Sequence, residues 1–154
     1  MRYLAGAVGH RETARDLAQD VFVRVAAADT LPATDEGRRA WVFHIARNIA
    51  IDHHRRQQLR HVEGIVEEPA AGAADSADTA LIVNQALASL DDLARDVFLM
   101  REVAGLSYGE IAEACHLTPD AIRSRIHRAR LQLRKHLQRP ITAARAHPMR
   151  AGLR

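Results

Sequence analysis

Between Ser107 and Leu133 the apolar residues fall into two stripes separated by a tight gap: Ile111 and Ala112 in the first, then Ile122, Ile126, Ala129 and Leu133 in the second. Steps of three and four put each set on one helical face, and Cys115-His116-Leu117 leaves room only for a turn between the helices. A short helix, a turn and a longer helix make the helix-turn-helix pattern. Each connecting residue has a physical reason to be there. Ala112 is small where two helices cross, and Leu117 plugs the core beneath the turn. Thr118 can accept an amide hydrogen bond, Pro119 sits where a missing N–H is harmless, and Asp120 suits the positive end of the helix dipole. The opposite face of the longer helix carries Arg123, Ser124, His127, Arg130 and Arg134, flanked by Arg125 and Arg128. Arginine can read guanine edges bidentately or clamp phosphates, so this face points to DNA.

The rest of the chain carries the same period. Ala14, Leu17, Ala18, Val21, Phe22 and Val25 predict a helix from Glu12 to about Asp29, and a loop containing Pro32 and Gly37 follows. Trp41, Val42, Ile45, Ala46, Ile49 and Ala50 form the apolar stripe of a second helix, about Arg38 to Arg60. Further helices are expected at Thr79–Ser89 and Leu93–Val103, before those at Ser107–Ala114 and Pro119–Gln138. With six aromatic residues and five prolines in 154, and with Ala, Leu and Arg dominating, the expected fold is all-α. It should comprise two small helical domains joined by a flexible acidic linker, the C-terminal one a helix-turn-helix. The divisions are 1–60, a linker at 61–79, a domain at 80–138 and a basic tail at 139–154.

The net charge of +3 conceals a strong segregation. Residues 61–94 hold seven acids and no Lys or Arg, whereas 121–154 hold ten cations and no acid. Such a basic segment attracts a polyanion, with nucleic acid ahead of an anionic membrane surface. The single cysteine, Cys115, excludes an intramolecular disulfide and suits a reducing cytoplasm. No apolar run approaches the ~20 residues a membrane helix needs. A metal or acid–base site at His53-His54 is disfavoured because adjacent helical residues point about 100° apart. No catalytic residue, cofactor, metal or small-molecule substrate is expected.

Two blocks of sequence carry a family resemblance. Leu106-Ser107-Tyr108-Gly109-Glu110-Ile111-Ala112 with Ile122-Arg123-Ser124-Arg125-Ile126-His127-Arg128-Ala129-Arg130 resembles region 4 of bacterial extracytoplasmic-function sigma factors, and Ala86–Leu90 and Arg95–Arg101 upstream fit it too. Independently, Ala14–Val25 resembles region 2.2 of that family, and Trp41–Arg56 resembles regions 2.3 to 2.4. The resemblance implies a dissociable subunit of RNA polymerase core. Such a subunit recognises the duplex −35 promoter element with domain 4, melts and captures the −10 strand with domain 2, and has an anti-sigma factor as a further partner. By position, Asp16, Gln19 and Asp20 match the face that docks on the polymerase clamp. Arg123, Ser124 and His127 match readers of −35 base edges, while Arg125, Arg128 and Arg130 hold phosphate or the domain.

For the −10 element the resemblance points to the loop Asp29–Arg39 and the exposed side of the helix behind it. Arg38, Arg39, His44, Arg47, Asn48 and Arg55 supply cations and hydrogen-bonding groups for a single strand there. Trp41 can stack on a base or fill the core, the stripe favouring the core. Asn48 can equally cap a neighbouring helix. Two departures from the family stand out. Only about ten residues precede the Glu12 helix, so the first helix of region 2 is expected to be missing, leaving part of Leu17, Val21 and Phe22 without cover. His116 occupies a turn position where a small or flexible residue is usual. The competing reading is a helix-turn-helix repressor or activator that does not act as a polymerase subunit.

Overall fold

A computed structural model describes residues 1–62 and 77–138. Seven helices run in the order α1 (Arg2–Val8), α2 (Arg11–Ala26), α3 (Asp35–Val62), α4 (Ala77–Ala88), α5 (Asp92–Glu102), α6 (Tyr108–Cys115) and α7 (Pro119–Leu137), with no strand among the described residues. The predicted helices are all present. Of the expected linker, 61 and 62 continue α3 and 77–79 begin α4, while the remainder and the basic tail lie outside the described residues.

Helices α1 to α3 form an N-terminal unit. The expectation that no helix precedes the Glu12 helix is not met: α1 spans seven residues and buries Tyr3, Leu4 and Ala7. It ends at Gly9, whose φ of 77° lets its N–H turn back to the Ala5 carbonyl at 2.9 Å. Leu17 and Val21 are buried, whereas Phe22 is 70% exposed. Phe22 stands at the rim of an apolar cleft of about 420 Å³ shared with Met1, Leu4, Val25, Val42 and Phe43.

Helix α3 starts at Asp35, three residues earlier than its apolar stripe suggests, because Asp35 and Glu36 suit the first turn and Thr34 Oγ1 accepts the Gly37 amide at 3.0 Å. Its buried residues are Gly37, Ala40, Ala46, Ile49 and Ala50. Trp41 does not take the core role the stripe assigned it. It is half-buried and stands outside the buried cluster, and Phe43 packs instead, its ring edge-on to Tyr3 with centroids 5.4 Å apart.

The C-terminal unit is built around Val97, Met100, Leu106, Ile111, Ile122 and Ile126, all essentially inaccessible. Burying each of these side chains is worth about 1.5–3 kcal/mol. Asp91 caps α5 by accepting the Ala94 amide at 2.8 Å. Ser107 caps α6 in a reciprocal box, Ser107 Oγ taking the Glu110 amide and Glu110 taking the Ser107 amide.

The two units pack together, α3 along α6 and α1 against α5, and their apolar residues form one cluster. At Gly6 the approach is tight: a Cβ there would lie 2.7 Å from Leu99 Cδ2.

Candidate nucleic-acid and partner interfaces

Helix α7 is built as anticipated. Thr118 Oγ1 accepts the Ala121 amide at 3.2 Å, Pro119 occupies the first turn, and Ile122, Ile126, Ala129 and Leu133 face the core. His116 ends α6 with φ 55°, a left-handed conformation in a non-glycine residue, so the unusual residue adopts the backbone the turn requires. Arg123, Ser124, His127, Arg128 and Arg130 are exposed along one side, and Arg125 is half-buried.

Three of these arginines are held before any ligand arrives. Arg123 Nη1 donates to Asp120 Oδ1 at 2.6 Å, with its guanidinium carbon 5.2 Å from the Tyr108 ring centroid. Arg101 lies over the same ring at 4.7 Å. Arg130 pairs with Glu102, a hydrogen bond that raises its already high pKa, and Arg128 Nε donates to the Ser124 carbonyl at 3.4 Å. The Arg123–Asp120 pair is largely exposed, so it is worth little and can yield to a stronger acceptor.

On α2, Asp16, Gln19 and Asp20 are exposed on one face, and no ion pair among the described residues uses either acid. The face is available for a partner.

The third group divides. Arg38 and Arg55 are exposed, Arg38 pairing with Asp35 and donating to the carbonyls of Pro32 and Ala33 at 3.0 and 3.1 Å. Arg39, His44 and Arg47 instead reach the C-terminal unit. Arg39 Nη1 lies 3.1 Å from Glu110 Oε1, near enough for an ion pair though not aligned as a hydrogen bond. His44 Nδ1–H donates to the Ala114 carbonyl at 2.9 Å, leaving Nε2 to accept from Asn48 at 3.0 Å, so Asn48 holds His44 rather than a helix cap. The His44 ring also meets His116 edge-on at 4.8 Å. Arg47 Nε donates to Asp96 Oδ2 at 3.0 Å, and Tyr3 donates its hydroxyl to Asp96 Oδ1 at 3.1 Å.

Asp96 is therefore the hub of a buried network. Burial raises its carboxyl pKa, and Arg47 and the hydrogen bonds only partly offset that. The Tyr3 hydroxyl is pushed well up, first by burial and then by the Asp96 charge. Tyr3, Asp96, Tyr108 and Glu110 were not singled out from the sequence. Two signals were present: Asp96 is a lone acid on the α5 stripe of Leu93, Val97 and Met100, and Ser107-x-x-Glu110 is a capping-box pattern. His54, half of the disfavoured His53-His54 site, donates Nε2–H to the Ala7 carbonyl at 3.1 Å and so ties α3 to α1.

Known proteins align with the same division. Residues 1–60 match the family described as Sigma-70 region 2, and residues 80–133 match Sigma-70, region 4. The chain is 30% identical over 147 residues to the RNA polymerase sigma factor YlaC of Bacillus subtilis, covering 89% of this chain and 84% of that protein. It is also 30% identical over 144 residues to the ECF RNA polymerase sigma factor SigL of Mycobacterium tuberculosis, covering 89% and 81%. Among solved structures it resembles the sigma factor RpoE in complex with the anti-sigma factor NepR from Bartonella quintana, with a TM-score of 0.69, 25% identity and coverage of 90% and 89%. With both regions present in order on an all-helical fold, the chain belongs to the sigma-70 family of RNA polymerase sigma factors, within its extracytoplasmic-function group.

Proposed function

We propose that this protein directs RNA polymerase core to specific promoters, reading the −35 element through α7 and capturing the melted −10 strand through α3 and the loop before it. The observation that carries this reading is the coexistence of regions 2 and 4 with an exposed, capped, arginine-lined second helix in the helix-turn-helix. It acts by binding alone, in the cytoplasm where polymerase works. No helix among the described residues is long and apolar enough to cross a membrane.

Roles follow from the position of each residue in regions 2 and 4. Asp16, Gln19 and Asp20 contact the polymerase core. Arg123, Ser124 and His127 stand near the N-terminal end of α7, the end that enters the major groove in this motif, and read base edges. Arg125, Arg128 and Arg130 hold phosphate or the domain. Arg38, Arg39, His44, Arg47, Asn48 and Arg55 serve the −10 strand. An anti-sigma factor, the partner named for the Bartonella structure, is the expected regulator. A titration of fluorescent protein with purified core polymerase tests the assignment. Wild type should bind, and Asp20→Arg should lose binding while keeping its helical circular dichroism. Equal affinity of the two would refute the docking face.

A further inference from the structure

Helix α7 carries one charge that attraction to a polyanion does not explain. Residues 121–154 hold no acid, yet Asp120, immediately before them, stands in the first turn of α7. At about 100° per residue, Asp120 and His127 lie within about 20° of each other around the helix, with Arg123 and Ser124 to either side of that line. The acid therefore shares the face proposed to read base edges, one turn nearer the end that enters the groove. Its side chain is 88% exposed. Asp120 Oδ1 accepts from Arg123 Nη1 at 2.6 Å, and among the described residues nothing donates to Oδ2. Arg123 also lies against the Tyr108 ring, 5.2 Å from its centroid, and Arg101 lies over the same ring at 4.7 Å. Arg123 is thus braced by a ring and a carboxylate, and that carboxylate keeps one oxygen open to the groove.

An acid facing DNA repels phosphates, so it weakens every complex in which no base returns a hydrogen bond. The bases that donate in the major groove are cytosine, through N4, and adenine, through N6, and adenine also carries the acceptor N7 beside its donor. A carboxylate can only accept, so N7 repels it and cytosine suits it better. We propose that Asp120 is a specificity-determining residue of the −35 face, accepting a hydrogen bond from the N4 amino group of a cytosine in the base pair next to the guanine that Arg123 reads. The spacing fits, since three residues rise about 4.5 Å along α7 against about 3.4 Å between base pairs. Arg123 spends one N–H on Asp120 and keeps the others for guanine O6 and N7. The acid also blunts the pull of phosphates on Arg123, so the pair favours adjoining guanine and cytosine over bare backbone. The proposal rests on the assignment of α7 to the −35 duplex.

Selection by the full chain from duplexes randomised over one helical turn, with the bound fraction sequenced, reads the preference base pair by base pair. Wild type should select a guanine with a cytosine in the neighbouring pair, any other base at that second position weakening binding about tenfold. Asp120→Ala should lose the cytosine preference alone and keep the guanine, with its helical circular dichroism unchanged. It should also bind a scrambled duplex about three- to tenfold more tightly at low salt, because one repelling charge has gone. Asp120→Asn, whose amide matches adenine N6 and N7, should move the second position from cytosine to adenine. An acid in a first turn stabilises a helix whatever the ligand. A role confined to that would leave the sequence selected by Asp120→Ala unchanged, or weaken all duplexes alike, and either result would overturn the proposal while leaving α7 as the −35 reader. A wild type that selects no sequence at all would overturn the reading of α7 and the proposal with it.

Discussion

Replacing Asp96 should show how much the junction between the units depends on one carboxylate. Its side chain is 9% exposed and that of Arg47 21%, and the Tyr3 hydroxyl points at it from a residue 3% exposed. In Asp96→Ala the buried hydroxyl loses its acceptor, at a cost of about 1–3 kcal/mol, and a half-buried guanidinium loses its counterion. A total near 3 kcal/mol is expected. Asp96→Asn should cost only about 1 kcal/mol, because it keeps an acceptor and sheds the charge whose burial raises the carboxyl pKa. Tyr3→Phe should cost about 1–2 kcal/mol in the wild type and almost nothing beside Asp96→Ala, where the hydroxyl is already an orphan. Urea unfolding followed by circular dichroism measures the wild type and all four variants. The pH dependence has a definite sign. Because the folded carboxyl titrates above its ordinary value of 3.8, the folded state holds a proton that the unfolded chain has released between those two points. The stability of wild type relative to Asp96→Asn should therefore fall as pH rises from about 3.8 through the raised value, and level off beyond it. Additive losses for Tyr3→Phe and Asp96→Ala, or a relative stability that rises with pH over that window, would refute the reasoning.

Other consequences are local. Arg123→Ala should cost about 1–3 kcal/mol on a matched −35 duplex and little on a scrambled one, whereas Arg128→Ala should weaken both alike and lower the salt slope by about one; isotherms at several salt concentrations separate them. Burial pushes the Cys115 thiol up to about 11, so alkylation at pH 8 should run about two orders of magnitude slower than for a free cysteine and recover in guanidinium. Thr118→Ala should cost about 1 kcal/mol in urea unfolding, through loss of the hydroxyl that accepts the Ala121 amide.

Local physics made most of the helices legible. Thr118-Pro119-Asp120 and the stripe from Ile122 to Leu133 specify α7 almost alone, and the structure follows them. Helix α1 was harder to see, because seven residues rich in Ala and Gly show too few turns for a period, and its stability comes from the burial of Tyr3, Leu4 and Ala7. On α3 the stripe rightly included Ala46, Ile49 and Ala50, but it also favoured Trp41, which is only half-buried, whereas its small neighbour Ala40 is fully buried. The contacts of the residues proposed for the −10 strand were the least legible. Arg39, His44 and Arg47 look in sequence like any solvated basic face, and their partners lie 49 residues away at Asp96 and 70 at Ala114. Pairing over such separations has no local signature. A lone acid in an apolar stripe is the nearest sign of it, since a buried carboxylate requires a partner.

Transcription from a mixture of genomic fragments by purified core polymerase, with RNA 5′ ends mapped in the presence and absence of the protein, measures promoter direction itself. The protein should create a discrete set of new 5′ ends whose upstream DNA shares a −35 and a −10 element at fixed spacing, and Asp20→Arg should abolish them. An identical set of ends with and without the protein, or ends altered only when another sigma factor is supplied, would contradict the account.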